Sequence, residues 1–221
     1  MAAKCVLTSW NVRGLGDRVK RLAVGHVLKR LGSSVVCLQE THMLPGQDSP
    51  FSSRLYGNQY HSAFSSYARG VSTLIGINVP FALTSSTTDP GGRFVFLHCT
   101  LHGIQCIIAN IYIPPPFSGE VLKTLATFLS RHPGVPALVV GDFNNFLCAS
   151  LDKFSPGARA VTPRGSQTPF ARLLQELGLS DVCRLSHPQE RCYSCHSASN
   201  KSLSRIDLGL GNSEMLPWSR P

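Results

Sequence analysis

Five polar side chains lie where apolar segments of the sequence end, and their chemical types suit work on metal ions and phosphate. They are Asn11, Glu40, Asp142, Asn144 and Asp207. Carboxylate and amide oxygens bind hard cations such as Mg²⁺, and a carboxylate can also orient or deprotonate a water molecule. Any one of these residues is most simply a turn residue. Because the chain has only 12 Asp and Glu, five such positions indicate a shared site.

The segments before these residues predict the strands that must hold them. Runs rich in Val, Ile, Phe, Cys and Thr cover residues 5–12, 35–40, 71–77, 94–101, 105–113 and 137–142. Side chains at strand ends are held rigidly while the following loops shape access, which is where sites assemble in layered α/β folds. The segment 94–113 has the form of a hairpin, so we expect parallel and antiparallel strand pairs to coexist.

Three segments show the apolar spacing of helices that pack on a sheet. They are residues 19–31, 121–129 and 170–177, each followed by Gly or Pro. In the first, the apolar face consists of Val19, Leu22, Ala23, Val27, Leu28 and Leu31. Segments rich in Gly, Pro, Ser and Thr at 45–53, 85–92 and 155–166 predict exposed connections. The pattern predicts an α+β fold with helices outside and sheets inside, as a single domain over residues 1–221.

The composition supports one folded domain with a polyanionic partner. The 221 residues include 43% hydrophobic and 15% charged residues, which is unlike a disordered or collagen-like chain. The formal net charge is +9, because 21 Lys and Arg face 12 Asp and Glu. Such a charge favours nucleic acid or an acidic membrane surface as a partner.

The ends and apolar runs of the sequence bear on its location in the cell. The start Met1-Ala2-Ala3-Lys4-Cys5 lacks the apolar core of a secretory signal, so we expect a protein that is not secreted and keeps its eight cysteines reduced. The longest apolar run, 106–113, is far shorter than the roughly 20 residues of a membrane helix. We therefore expect no membrane span.

Six motifs occur in a fixed order along the chain. They are Ser9-Trp10-Asn11-Val12-Arg13-Gly14-Leu15, Leu38-Gln39-Glu40-Thr41-His42, Ala68-Arg69-Gly70-Val71, Asn110-Ile111-Tyr112-Ile113-Pro114, Gly141-Asp142-Phe143-Asn144 and Ser204-Arg205-Ile206-Asp207. In this order the motifs resemble the endonuclease/exonuclease/phosphatase family. The Gln-Glu-Thr-His and Arg-Gly-Val forms are most similar to the apurinic-type endonuclease domain of LINE-type non-LTR retrotransposons. The resemblance extends from residue 6 to about residue 212.

The resemblance implies both a fold and a chemistry. The implied fold is a four-layer α/β/β/α sandwich of two mixed β-sheets flanked by helices. The implied reaction hydrolyses phosphodiesters or phosphomonoesters with a divalent metal, usually Mg²⁺ and alternatively Mn²⁺. Glu40 matches the metal ligand of the family, with Asn11 beside it. The metal would neutralise phosphate charge and stabilise the leaving oxygen.

The resemblance also implies roles for the remaining residues of the site. Asp142 matches the carboxylate that orients or deprotonates the attacking water, and Asp207 matches the acid that holds a catalytic histidine. Asn144 matches a donor to the scissile phosphate, and Tyr112 would donate its phenolic hydrogen bond to a phosphate oxygen. The residues expected to contact phosphate or DNA are Ser194, Arg69, Arg164 and Arg205.

The histidine that Asp207 would hold is where this sequence departs from the family pattern. In the family it belongs to a Ser-Asp-His segment on a final core strand. No Ser-Asp-His occurs in the 14 residues after Asp207, and His187 and His196 precede it. We therefore expect a C-terminally incomplete domain, from a longer polyprotein or a decayed element copy, with the final core strand missing. A missing strand would expose a sheet edge, lower the stability and weaken or abolish catalysis.

Three function classes remain open. The first is a Mg²⁺-dependent DNA endonuclease that nicks one strand, acts in the nucleus as a monomeric domain and belongs to a polyprotein with a reverse transcriptase. The second is a phosphatase or phospholipase of the same family. The third is a non-catalytic remnant that binds nucleic acid by charge alone. The Gln-Glu-Thr-His and Arg-Gly-Val motifs favour the first class.

Overall fold

The computed structural model describes residues 5–156, 168–199 and 201–218, and within them two β-sheets lie face to face between helices. The first sheet consists of β1 (Leu7–Asn11), β2 (Val35–Gln39), β3 (Tyr56–Ser62) and β4 (Val71–Gly76). Its strand order is β1-β2-β4-β3, with β1 and β2 parallel and the other pairs antiparallel. β2 is buried along its whole length. Its apolar run from Val35 to Leu38 follows from having both faces covered.

The second sheet is larger and also mixes parallel and antiparallel pairs. Its strands are β5 (Phe81–Thr88), β6 (Phe94–Leu101), β7 (Ile104–Tyr112), β8 (Ala137–Asp142), β10 (Ser180–Asp181) and β13 (Asp207–Gly211). The strand order is β10-β13-β8-β7-β6-β5, and β7 and β8 are the parallel pair. β6 and β7 form the predicted hairpin, which turns at His102 and Gly103. A small third sheet has the order β11-β12-β9 and consists of β9 (Lys153–Phe154), β11 (Cys195–Ser197) and β12 (Ser202–Ser204).

Helices cover the outer faces of the two large sheets. The helices are α1 (Arg18–Arg30), α2 (Glu120–Ser130), α3 (Ala149–Asp152), α4 (Pro169–Glu176) and α5 (Val182–Ser186), followed by a 3-10 helix at Leu216–Trp218. α1 packs Val24 and Leu28 on the first sheet. α2 and α4 pack on the second sheet, with Leu125 and Phe170 in the same apolar cluster as Val139. A third apolar cluster lies between the sheets. The predicted four-layer α/β/β/α sandwich is confirmed.

Two expectations about local structure need correction. The segment 85–92 is not wholly a connection, because β5 continues to Thr88 and pairs with β6. Its Ser and Thr residues face solvent at the edge of the sheet, so the sequence lacks the apolar signal of a strand. The third predicted loop, 155–166, lies outside the described residues from position 157 onward.

The predicted apolar face of α1 is only partly covered. Of that face Leu28 is buried, but Val19, Leu22, Ala23 and Leu31 are exposed. Val24, which the prediction left out, is the other buried residue of the helix. The helix does form at the predicted place, with Asp17 as its N-cap accepting a hydrogen bond from the Lys20 amide. No helix in the described ranges is long and apolar enough to cross a membrane.

A buried pair of amide side chains joins the two large sheets behind the strand ends. Gln39 of β2 donates from Nε2 to Oδ1 of Asn110 on β7 at 2.8 Å. Asn110 donates in turn to the carbonyls of Ser72 at 3.0 Å and Leu38 at 3.3 Å. Both amide side chains are fully buried. Since Glu40 follows Gln39 directly, this bridge fixes the base of the strand end that carries Glu40.

Replacing Asn110 by Leu is expected to lower the free energy of unfolding by about 1–3 kcal/mol, because Gln39 Nε2 and two carbonyls would lose a buried partner. Urea unfolding measures the loss. The double variant Gln39→Leu/Asn110→Leu is the control, and its loss should be smaller than the sum of the two single losses. Additive losses would contradict an energetic link between the two amides.

Candidate active site

The polar residues at the strand ends meet at one edge between the two large sheets. Asn11 ends β1, Glu40 follows β2 directly, and Asp142 ends β8. Asp207 reaches the same edge from the opposite direction, because β13 runs antiparallel to β8 and pairs Asp207 with Asp142. Tyr112, the last residue of β7, pairs with Asp142 from the other side. The structure thus brings together residues that are up to 196 positions apart in the sequence.

Asn11 connects the carboxylates of the two sheets. Its Nδ2 donates to Glu40 Oε1 at 2.9 Å and to Asp142 Oδ2 at 2.8 Å. The Arg13 backbone amide donates to Asn11 Oδ1 at 3.0 Å, which fixes the orientation of the side-chain amide. One amide group therefore sets the spacing between Glu40 and Asp142.

The carboxylate of Glu40 has two further neighbours. Tyr112, which is buried, donates its phenolic hydrogen bond to Glu40. The pKa of Tyr112 is raised by its burial first and by the negative charge of Glu40 second, so the phenol stays protonated and remains a donor. On the other side, His42 Nε2 lies 3.5 Å from Glu40 Oε2. Glu40 is held from both sides.

Asp142 is 4% exposed and is positioned by its chain neighbours. The Asn144 amide donates to Asp142 Oδ1 at 2.9 Å, and Asn144 Nδ2 donates to the Ile113 carbonyl at 2.9 Å. Gly141 has a φ of +146°, and a Cβ at that position would lie 1.8 Å from the Ile111 carbonyl oxygen. Only glycine fits this close approach of β7 and β8, so the Gly-Asp order is a requirement of the strand pair.

Asp207 is paired with Ser194 in this structure. Ser194 Oγ accepts from the amides of Ile206 and Asp207 at 3.2 and 3.1 Å, and the serine also hydrogen-bonds to the Asp207 carboxylate. Burial and the charge of Asp142 raise the pKa of Asp207 to about 6, although the bond from Ser194 acts in the opposite direction. Ser194 was expected to contact phosphate, and its hydrogen bonds within the chain make it a support for Asp207.

Strained backbone concentrates at this edge of the sandwich. Seven non-glycine residues in the described ranges have a left-handed φ, and five belong to the site or to the segments that touch it. These five are Arg13, Glu40, His42, Arg69 and Asn144. Such conformations persist where the surrounding structure holds them and are typical of functional sites.

Two side chains at the site were missed by the analysis of the sequence. Arg13, which the sequence placed only within a motif, acts electrostatically on Asp142 and Asp207, and its positive charge offsets part of the rise in their pKa. His42 touches Glu40 but was considered only as part of a motif. Each lies two positions after a predicted site residue, Asn11 or Glu40, and that spacing is the signal that could have found them.

The three arginines expected to contact DNA have different outcomes. Arg69 lies near the site, where its charge acts on Tyr112. The prediction that Arg205 contacts DNA is wrong. Its guanidinium is buried and forms ion pairs with Asp152 at 2.8 Å and Asp181 at 2.5 Å. A guanidinium enclosed in this way cannot reach a DNA backbone. Arg164 lies outside the described residues.

The two neighbouring carboxylates of the site, Glu40 and Asp142, suit the binding of a cation. Burial raises the pKa of Asp142, and the nearby charge of Glu40 raises it further. No group of three or more His, Cys, Asp or Glu in the described ranges forms a complete metal cage. Mg²⁺ requires no such cage, because it keeps several waters and is held by one or two carboxylates together with substrate phosphate. The residues present therefore fit Mg²⁺.

Asp207→Asn is expected to gain stability relative to the wild type as the pH rises from about 4 to about 6. The pKa of Asp207 is raised from its ordinary 3.8 to about 6, so the folded wild type binds more protons than the unfolded chain across that range, and its stability falls with rising pH. Each pKa unit corresponds to about 1.4 kcal/mol. Urea unfolding across this pH range measures the difference, with Asp48→Asn on an exposed loop as control. A difference independent of pH would contradict the raised pKa.

A model of the Endonuclease/Exonuclease/phosphatase family matches residues 8–207, and the chain belongs to that family. The resemblance predicted from the six motifs is confirmed. A 149 kDa uncharacterized protein of transposon TX1 from Xenopus laevis is 23% identical over 205 residues. The match covers 91% of this chain and 15% of that protein, so the chain corresponds to a small part of this relative.

Solved structures share the fold. The AP endonuclease LMAP from Leishmania major has a TM-score of 0.76 at 17% identity, with 96% of this chain and 80% of that chain covered. An AP endonuclease from Archaeoglobus fulgidus has a TM-score of 0.71 at 22% identity, with 97% and 89% covered. The 3′ phosphatase NExo from Neisseria, bound to a product DNA hairpin, has a TM-score of 0.65 at 19% identity, with 96% and 88% covered.

Proposed function

We propose that this domain is a Mg²⁺-dependent phosphodiesterase that nicks one strand of DNA, like the endonuclease of a LINE-type retrotransposon. The observation that carries the proposal is the pair of carboxylates, Glu40 and Asp142, that Asn11 joins across two sheets. The net charge of +9 supports a DNA backbone as the partner. The similarity to a transposon protein supports a mobile element as the source of the domain.

The proposed roles follow from the surroundings of each side chain. Asp142 is the base that orients the attacking water and takes its proton, and its burial makes it a stronger base than an exposed carboxylate. Once DNA is bound, Tyr112 redirects its single phenolic hydrogen from Glu40 to a phosphate oxygen, a hydrogen bond that gains strength as negative charge builds in the transition state. Asn144 presents the second N–H of its amide to the scissile phosphate, because the first is bound to Ile113.

Glu40 and Asn11 are the residues proposed to hold the cation. Mg²⁺, or Mn²⁺ in its place, neutralises phosphate charge and stabilises the leaving oxygen when it is bound. Tyr112 and His42 hold Glu40 in position from two sides. Asn11 also keeps the Asp142 carboxylate at a fixed distance from Glu40.

We further propose a biological setting for the nick. The domain spans residues 1–221, acts as a monomer in the nucleus and belongs to a longer polypeptide with a reverse transcriptase. The 3′ hydroxyl at the nick would then prime reverse transcription. The size of the 149 kDa relative supports a larger parent protein.

A non-catalytic DNA-binding domain is the second candidate, and one observation favours it. All eight histidines lie in the described residues, and none of them contacts Asp207 there. Asp207 binds Ser194 instead. Within the described residues, no imidazole lies at the place beside Asp207 that the family resemblance implies.

End-group analysis on a duplex oligonucleotide separates these functions. The proposed activity predicts cleavage inside one strand with Mg²⁺, leaving a 3′ end that a polymerase extends. Salt-sensitive binding without cleavage would support the second candidate, because binding dominated by phosphate contacts weakens steeply with salt. Release of inorganic phosphate from a phosphorylated end, with no internal cleavage, would contradict the endonuclease and indicate a phosphatase.

A further inference from the structure

The loop between β3 and β4, residues 63–69, carries an exposed aromatic side chain. Tyr67 is 80% exposed, whereas the other four tyrosines, all within the described ranges, are buried or half-buried. Covering an exposed aromatic ring gains free energy, and the phenol can keep its hydroxyl in water at the same time. Tyr67 is therefore suited to contact a partner.

Hydrogen bonds within the loop hold Tyr67 at its tip. Ser65 Oγ donates to the Ala68 carbonyl at 3.2 Å, and the Ala68 amide donates to Ser65 Oγ at 3.1 Å. These two bonds close a turn around residues 66 and 67. A fixed turn presents the ring in one place and so lowers the entropy that a contact would cost.

The base of the loop is also fixed, by an arginine and an aromatic ring. The Arg69 guanidinium lies over the Phe64 ring, 4.7 Å from its centroid, and donates to the Gly91 carbonyl at 3.4 Å. Gly92 packs so closely that a Cβ there would lie 2.7 Å from Phe64 Cβ. The loop therefore rests on the turn between β5 and β6 as a preformed basic and aromatic surface.

Backbone hydrogen bonds connect this surface to the carboxylate site. The His42 amide donates to the Arg69 carbonyl and the Thr41 amide to the Gly70 carbonyl, both at 2.9 Å. These bonds place Arg69 beside the two residues that follow Glu40. Tyr67 is two residues from Arg69, so their Cα atoms are at most about 7 Å apart. Because Glu40 is likewise two residues from His42, and nucleotides in one strand are spaced about 3.4 Å apart, a base on Tyr67 would be a few nucleotides from a phosphate at Glu40.

We propose that Tyr67 stacks on a DNA base a few nucleotides from the phosphate held at Glu40, with Arg69 contacting the backbone beside it. The inference rests on the proposed function and adds a residue that determines affinity and the position of cleavage. Base stacking on aromatic side chains is common in nucleic-acid binding. Side chains inserted between base steps also favour DNA that unstacks easily, which makes such a residue a determinant of specificity.

The test uses the 221-residue protein in EDTA, so that DNA binds without metal-dependent cleavage. A set of duplexes carries the fluorescent base 2-aminopurine at successive positions. We expect a fluorescence change at one or two adjacent positions, lost in Tyr67→Ala and kept in Tyr67→Phe. Tyr67→Ala should also weaken DNA binding by about 5- to 150-fold, the equivalent of one stacked base. Its salt dependence should match the wild type, whereas Arg69→Ala should lower the slope by about one phosphate contact.

Leu22→Ala is the matched control, because Leu22 is an exposed apolar residue on α1. If Tyr67→Ala binds DNA as the wild type does and gives no change in the 2-aminopurine pattern, the stacking proposal is wrong. In that case Mg²⁺-dependent nicking by the same variant would show that the proposed function still holds. A wild-type protein that binds no DNA would overturn both proposals.

Discussion

Replacing Asp142 by Asn is expected to lower the rate of Mg²⁺-dependent DNA nicking by about 10²–10⁴-fold, the usual contribution of a general base. Asn has nearly the same size and can still accept the hydrogen bond from the Asn144 amide. It cannot take a proton from water. The first-order rate of plasmid nicking at saturating protein measures the effect.

Two further measurements show whether the activity is lost because the chemical step is slower, rather than because the protein unfolds or binds DNA more weakly. The melting temperature of Asp142→Asn should fall only slightly, because relief of the repulsion from Glu40 offsets the loss of the hydrogen bond that Asn11 donates to Oδ2. DNA affinity should be unchanged or higher, because a negative charge next to the phosphate is gone. Nicking at the wild-type rate would contradict the role of Asp142.

Asp152→Asn is expected to lower the free energy of unfolding by about 3–5 kcal/mol, the cost of breaking a buried ion pair from one side. Asp152 Oδ1 pairs with Arg205 at 2.8 Å and with Arg184 at 2.5 Å, and its carboxylate is fully buried. Burial raises the pKa of Asp152, but the hydrogen bonds from the two arginines outweigh it and leave the pKa lowered. The variant would leave Arg205 with Asp181 alone and the Arg184 guanidinium with only the backbone carbonyls of His187 and Glu190.

Thermal unfolding measures this loss, which corresponds to about 6–20 °C in a domain of this size. Asp48→Asn, on an exposed loop, is the control and should change stability by no more than about 0.5 kcal/mol. A melting temperature for Asp152→Asn equal to that of the control would contradict the importance of the ion-pair cluster. The cluster matters for the site because Arg205 lies two residues before Asp207.

The layers of the fold were predictable from the sequence because the apolar residues of buried strands and helices follow a regular pattern along the chain. β2 is apolar from Val35 to Leu38 since both its faces are covered, and α2 repeats its apolar residues at helical spacing. β5 escaped prediction because an edge strand can carry Ser and Thr toward solvent. The predicted apolar face of α1 included exposed residues and left out the buried Val24, because periodicity does not say which residues a neighbour covers.

The candidate site was predictable in its residue types but not in its contacts. Strand ends indicated Glu40 and Asp142, yet nothing in the sequence showed that Asn11 joins them. Arg205 was predicted to contact DNA because the sequence does not show whether an arginine in a motif faces solvent or pairs with two buried carboxylates. Its acidic partners, Asp152 and Asp181, are 53 and 24 positions away, so only the fold brings them together.

Plasmid nicking by the 221-residue protein and by Glu40→Gln, with Mg²⁺ and with EDTA, shows most directly whether the carboxylate site hydrolyses DNA. The carboxylate site predicts conversion of supercoiled to nicked plasmid by the wild type with Mg²⁺, no conversion in EDTA, and a rate at least about 10²-fold lower for Glu40→Gln, since the variant loses charge stabilisation of the reacting phosphate. Equal nicking by the two proteins, or wild-type nicking that continues in EDTA, would contradict it. Salt-sensitive plasmid binding with no Mg²⁺-dependent nicking would identify the domain as a non-catalytic DNA-binding protein.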